Sequence, residues 1–158
     1  MVVVIALGAV YVAVRGSPVK TYTTVEGIKC QSHERLDYHV HARLAIFVEG
    51  NEVPVEGGIG IRDDCLFWLH THGEDGLIHV EAPERQDYSL GQFFAVWGQP
   101  LSERQLLDHS EDASHEVTAT VNGEEYSSDP SAIRLEDGVE IVLQYGALFV
   151  SPSDEREQ

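Results

Sequence analysis

The stretch from Tyr38 to Glu49 alternates side chains with a period of two, which fits a β-strand and no helix. Val40, Ala42, Leu44, Ile46 and Val48 fall on one face, and His39, His41, Arg43, Ala45 and Phe47 on the other. A second His-x-His pair, His70-Thr71-His72, ends the apolar run that starts at Leu66. Gly73-Glu74-Asp75-Gly76 then reads as a turn, and Leu77 to Glu81 as the returning strand. A four-residue loop sets His72 opposite Leu77, His70 opposite His79 and Trp68 opposite Glu81. Directly opposed residues have Cβ atoms roughly 4.5–5.5 Å apart. The hairpin therefore gathers three imidazoles on one face.

Five of the eight histidines lie between positions 39 and 79. Clustered imidazoles repel when protonated, so stability alone gives little reason to collect them. A transition metal does, because its bonds to imidazole nitrogen are about 2.0–2.1 Å long. The expected ligands are His70, His72 and His79 with one of His39 or His41, the other standing behind it or adding a fifth bond. A buried hydrogen-bond network and a protonation switch are the competing readings. Neutral imidazoles suit copper, zinc and nickel, and the scarcity of carboxylates on that face disfavours calcium and magnesium. Glu81 shares the face of His79, and is read either as an orienting group or general base, or as a solvated charge. His33, His109 and His115 are not expected to be ligands.

The chain carries 27 acidic against 10 basic residues, a net charge of −17, with Lys20 and Lys29 the only lysines. Such a surface repels phosphate backbones, so nucleic acid is not expected as a partner. Val2 to Val14 is an uncharged apolar run that stops at Arg15-Gly16-Ser17-Pro18. It is shorter than the about 20 residues of a comfortable membrane span, and matches the apolar core of a signal segment. Residues 1–20 are accordingly read as a signal-anchor or membrane segment with its linker, against a valine-rich buried strand. Residues 21–150 are read as one β-rich metal-binding domain, and 151–158 as an acidic tail. The location is then the extracytoplasmic side of the cell membrane, or secreted.

An even cysteine count outside the cytoplasm suggests a Cys30–Cys65 disulfide, with thiolate metal ligands as the alternative. Residues 16–35 read as an exposed lead-in with a possible edge strand over 21–25. Gly50-Asn51 is expected to turn, and Ile59-Gly60-Ile61 to form a short strand. Ser89-x-x-Gln92 opens a helix with an apolar stripe of Leu90, Phe93, Phe94 and Trp97, ended by Gly98. Ser102-x-x-Gln105 predicts a second short helix through Leu106 and Leu107. Beyond it, His115–Val121, an Asn122-Gly123 turn and Glu124–Tyr126 form a hairpin. A turn at Asp129-Pro130-Ser131, a short strand at Ile133 and Leu135, and a last strand over Glu140–Tyr145 follow. The expected fold is mainly β with one or two short helices (α+β), an antiparallel sandwich or open barrel carrying the histidine hairpin.

Three segments also carry a resemblance: Tyr38-His-Val-His41; Cys65-Leu-Phe-Trp-Leu-His-Thr-His-Gly-Glu-Asp-Gly-Leu-Ile-His-Val-Glu81; and Leu90-Gly-Gln-Phe-Phe-Ala-Val-Trp-Gly-Gln-Pro-Leu101. Together they resemble a family of uncharacterised, membrane-anchored extracytoplasmic proteins of prokaryotes, over about residues 28–146. The resemblance implies a single extracytoplasmic domain and supplies no reaction. The His-x-His on a strand is also similar to cupins, but the rest of the cupin pattern is missing, so only metal-ligand logic is shared. Two functions follow: a metal-binding module handling copper or zinc without turnover, or a metal-dependent hydrolytic or redox enzyme with an open coordination position. A structural subunit that self-assembles or packs its N-terminal segment into a partner protein is a third.

Overall fold

The computed structural model describes residues 23–147. The expectations for the N-terminal apolar run and the acidic tail lie outside them. Among the described residues, no helix is long and apolar enough to cross a membrane.

Strands β1 (Thr24–Val25) and β2 (Ile28–Gln31) form a small antiparallel hairpin. Residues 23–35 are mostly exposed, as expected of a lead-in, but Ile28 and Cys30 are fully buried. The sequence could not announce this, since the burial comes from a distant partner. Strand β3 (Tyr38–Val48) follows the predicted alternation, with Val40, Ala42, Leu44 and Ile46 inward. Its turn falls on Glu49 and Gly50, one residue early, so that Asn51 already belongs to β4 (Asn51–Val53). The expected strand at Ile59-Gly60-Ile61 is instead a turn ending in a single bridge from Ile61 to Leu66. Gly58 and Gly60 sit at φ +80° and +77°, which extended backbone does not adopt.

The histidine strand is split at Trp68 into β5 (Leu66–Phe67) and β6 (Leu69–Thr71). β5 pairs with β2, whereas β6 pairs with the returning strand β7 (Leu77–Ala82). The Cys30–Cys65 disulfide joins β2 to the residue that leads into β5. Both sulfurs are thereby committed, and the thiolate-ligand alternative falls. Helix α1 (Leu90–Trp97) has the predicted capping box between Ser89 and Gln92 and a left-handed Gly98 at its end. Leu90, Phe93 and Phe94 are buried in the common core.

The second predicted helix does not form. Leu101–Ser102 is β8, Gln105–Leu106 is β9 and His109–Ser110 is β10, a three-stranded meander. Leu106 and Leu107 are adjacent, so they cannot build the i, i+3, i+4 stripe a helix needs. Leu106 is buried opposite Leu101, and Leu107 turns the chain at φ +54°.

The last part is the expected hairpin, β11 (His115–Val121) and β12 (Glu124–Glu125), joined by Asn122-Gly123. A 3-10 turn at Pro130–Ala132, capped by Asp129, precedes β13 (Val139–Ala147). Ile133 and Leu135 flank a single bridge from Arg134 to Ser89 rather than forming a strand.

Among the described residues the architecture is mainly β with one α-helix, and the main sheet has seven strands in the order β12-β11-β13-β3-β7-β6, with β4 beside β3. β13 lies inside that sheet, antiparallel to β11 and parallel to β3. That one parallel pair joins the N- and C-terminal halves into a continuous sheet. The face carrying Val40, Ala42, Leu44, Ile78, Val80, Ile141 and Leu143 packs into the single core. The opposite face of β3 and β7 is left for the histidines.

The β6–β7 turn closes tightly on β3. The Leu44 N–H donates to the Gly76 carbonyl at 2.8 Å. A Cβ on Gly76, at φ +70°, would stand 2.1 Å from the Leu44 carbonyl oxygen. Gly76→Ala is expected to destabilise the domain by about 2–3 kcal/mol in urea unfolding. Gly123→Ala, at a similar φ but with nothing near its Cβ, should cost about 1 kcal/mol. Equal costs would refute the close approach.

Candidate metal centre

Three neighbouring strands present the cluster, and the ladder register places it. His41 lies opposite His79 on β3 and β7, and His79 lies opposite His70 on β7 and β6. One row of three imidazoles thus crosses the sheet. His39 lies opposite Glu81 one row further on, and His72 stands just past the end of β6. The central strand contributes His79 and Glu81, and each flanking strand contributes one His-x-His pair.

Local bonds hold the carriers in place. The Asp137 carboxylate accepts from the His41 N–H at 3.1 Å, and the Gly138 N–H donates to the His41 carbonyl at 2.8 Å. Thr71 points away from its histidine neighbours. Its hydroxyl donates to the Glu56 carbonyl at 2.7 Å and accepts from the Ile59 N–H at 3.1 Å. The Trp68 indole N–H donates to the Gln31 side-chain oxygen at 2.8 Å, which fixes the break between β5 and β6.

His70 and Glu81 form the floor, at 0% and 5% exposure, while His39 and His72 stand at the solvent rim. His70 Nδ1 lies 3.0 Å from the Phe67 carbonyl oxygen. A carbonyl only accepts, so Nδ1 carries the proton and Nε2 keeps its lone pair for the cluster. That Nε2 is 3.2 Å from His72 Nε2, and His39 Nε2 is 3.1 Å from His41 Nε2. Two nitrogens bound to one tetrahedral ion at about 2.0–2.1 Å are about 3.3 Å apart. Both pairs match that edge closely.

Glu81 Oε1 is 3.3 Å from His39 Nε2 and 3.6 Å from His79 Nδ1, and Oε2 is 4.0 Å from His70 Nε2. Among the described residues, two buried side-chain polar atoms have no hydrogen-bond partner: His79 Nδ1 and Glu81 Oε2. Buried polar atoms are nearly always satisfied, and an unmet pair within one cluster is what a bound cation would use. The donors that converge are His70, His72, His79 and Glu81 in one set, and His39, His41 and His79 in another, each within 4.8 Å of one another.

No protein-family model, curated protein or solved structure matches the chain.

All five predicted histidines come together, and Glu81 stands among them rather than as a solvated charge. His33, His109 and His115 lie outside both sets. His115 is held between Asp112 and Glu49, and hydrogen bonds from the Ser114 N–H and hydroxyl and from His115 pull the Asp112 carboxyl down to about 2. The contribution that sequence reasoning missed is the Phe67 carbonyl that orients His70, a backbone group with no signature in the residue pattern.

Burial lowers the His70 imidazole to about 4 against the pull of its Phe67 bond, and burial with His41 and His72 nearby lowers His79 to about 4. Burial, reinforced by the charge of Glu34, raises the Glu81 carboxyl. Both imidazoles are therefore neutral, ligand-ready groups at neutral pH. A folded-state value below the ordinary 6.5 means the unfolded chain binds the extra protons. Stability from these groups is full above pH 6.5 and is lost as pH falls toward 4. The raised Glu81 carboxyl has the opposite sign: it binds its proton more readily when folded, which offsets part of the loss at acid pH. Metal-stripped protein is expected to melt at progressively lower temperature between pH 6.5 and 4. His70→Asn, whose amide can still donate to the Phe67 carbonyl, should flatten that slope. A wild-type curve no steeper than that of the variant would refute the assignment.

Proposed function

We propose that this chain is an extracytoplasmic, membrane-anchored protein that binds a transition metal ion, copper or zinc, through its histidine cluster. The observation that carries the proposal is the pairing of unmet polar atoms, His79 Nδ1 and Glu81 Oε2, inside a nest of imidazoles whose Nε2 atoms are spaced like ligands. The membrane side of the reading rests on the apolar run at Val2–Val14, on the disulfide and on the resemblance of the histidine segments. An oxidising compartment keeps such a bond formed.

A metal-dependent enzyme is the second reading, and Glu81 is what favours it. A buried carboxyl held above the usual range beside a metal-bound water is suited to general-base work. A cleft of about 530 Å³ lined by His33, Glu34, Arg62, Cys65 and His72 also reaches the edge of the cluster.

Elemental analysis after exhaustive dialysis tests the metal assignment. Wild-type protein is expected to retain zinc or copper, and the His70→Ala/His79→Ala variant to retain clearly less. Equal metal content in the two would reject it.

A further inference from the structure

The donor atoms divide into two sets rather than one. All ligands of a single ion lie within about 4.2 Å of one another, twice the metal–nitrogen bond length. His39 and His41 on β3 are separated from His70 and His72 on β6 by the whole of β7. Adjacent strands are about 4.8 Å apart, so the two pairs sit roughly two strand spacings from each other. Their donor atoms accordingly converge in two sets, His39 and His41 in one and His70 and His72 in the other.

The central strand supplies what a two-ion arrangement needs. His79 lies between the pairs, its ring centre 4.6 Å from that of His41 and 4.7 Å from that of His72. Glu81 turns one carboxylate oxygen to each side, Oε1 toward His39 and Oε2 toward His70. A carboxylate with its oxygens so divided bridges two cations, and paired catalytic or storage ions are about 3.5–4 Å apart.

Building on the metal-binding reading above, we propose that the cluster is a dinuclear centre: one divalent transition ion on His39, His41 and His79, a second on His70, His72 and Glu81 Oε2, with Glu81 Oε1 turned toward His39 of the first set. This places Glu81 between the two sets, and it explains why the motif carries two His-x-His pairs where a single site would need one.

Native mass spectrometry of the full chain, stripped of metal and titrated with Zn²⁺, reads the stoichiometry directly. Wild-type protein is expected to bind two ions. His39→Ala/His41→Ala and His70→Ala/His72→Ala are each expected to bind one. A wild-type protein that saturates at one ion overturns the dinuclear centre while leaving the metal-binding reading standing. A protein that binds none overturns both. The wild-type count needs no variant, so a substitution that fails to fold leaves the test intact; His39→Gln/His41→Gln, which preserves polarity at the rim, then replaces the alanine pair.

Discussion

His79→Ala is expected to weaken zinc or copper(II) binding by more than about 100-fold, since disturbing even a supporting partner of a metal ligand costs 10–100-fold. The large effect follows from position. His79 is the one residue common to both converging sets, and it stands at the middle of the row formed with His41 and His70. Substitutions of rim residues such as His39 or His72 remove a donor from one set and leave the other whole. The variant also separates binding from folding. His79 is partly buried without a partner for Nδ1, so its removal relieves an unmet polar group. Metal-stripped His79→Ala should be as stable as wild type or more so, and only the metal-loaded proteins should differ. Ligand at 1,000 times its dissociation constant adds about 4 kcal/mol of stability to wild type, and a 100-fold loss of affinity should cut this increment to about 1.4 kcal/mol or less in the variant. Calorimetric titration showing unchanged affinity would refute the central place of His79.

Removing the disulfide is expected to lower the melting temperature by roughly 10–20 °C. The bond closes a loop with a sequence separation of 35, worth about 4 kcal/mol in the chain-entropy model. It acts at a sensitive place, because β2 and β5 are short and Cys30 pairs with Phe67. Phe67 in turn supplies the carbonyl that orients His70. Cys30→Ala/Cys65→Ala should therefore also weaken metal binding, by about tenfold, as expected for an orienting rather than a ligating group. Thermal unfolding unchanged in the variant would contradict the stabilising role, and loss of all metal would point back to sulfur ligands.

Much of the centre was legible because strand alternation is local. The Gly73–Gly76 turn and the apolar residues around it sufficed to set His70 against His79, and the ladder has that register. The capping box at Ser89 was equally readable, since an apolar stripe follows it. The same box at Ser102 misled, because no stripe follows. Alternation says which residues share a face, but not which strand lies next to which. That is why the opposition of His41 and His79, and the parallel seam between β13 and β3, could not be read. The break at Trp68 was hidden for a related reason. Phe67, Trp68 and Leu69 are uniformly apolar, with no glycine or proline to mark it, and the indole's partner is Gln31, far away in sequence.

X-ray absorption at the metal edge of the loaded protein tests the central claim most directly. A histidine centre on this sheet predicts nitrogen and oxygen scatterers at about 2.0–2.1 Å with the outer-shell pattern of several imidazoles. A first shell of sulfur at about 2.3 Å, or of oxygen alone without imidazole features, would contradict it.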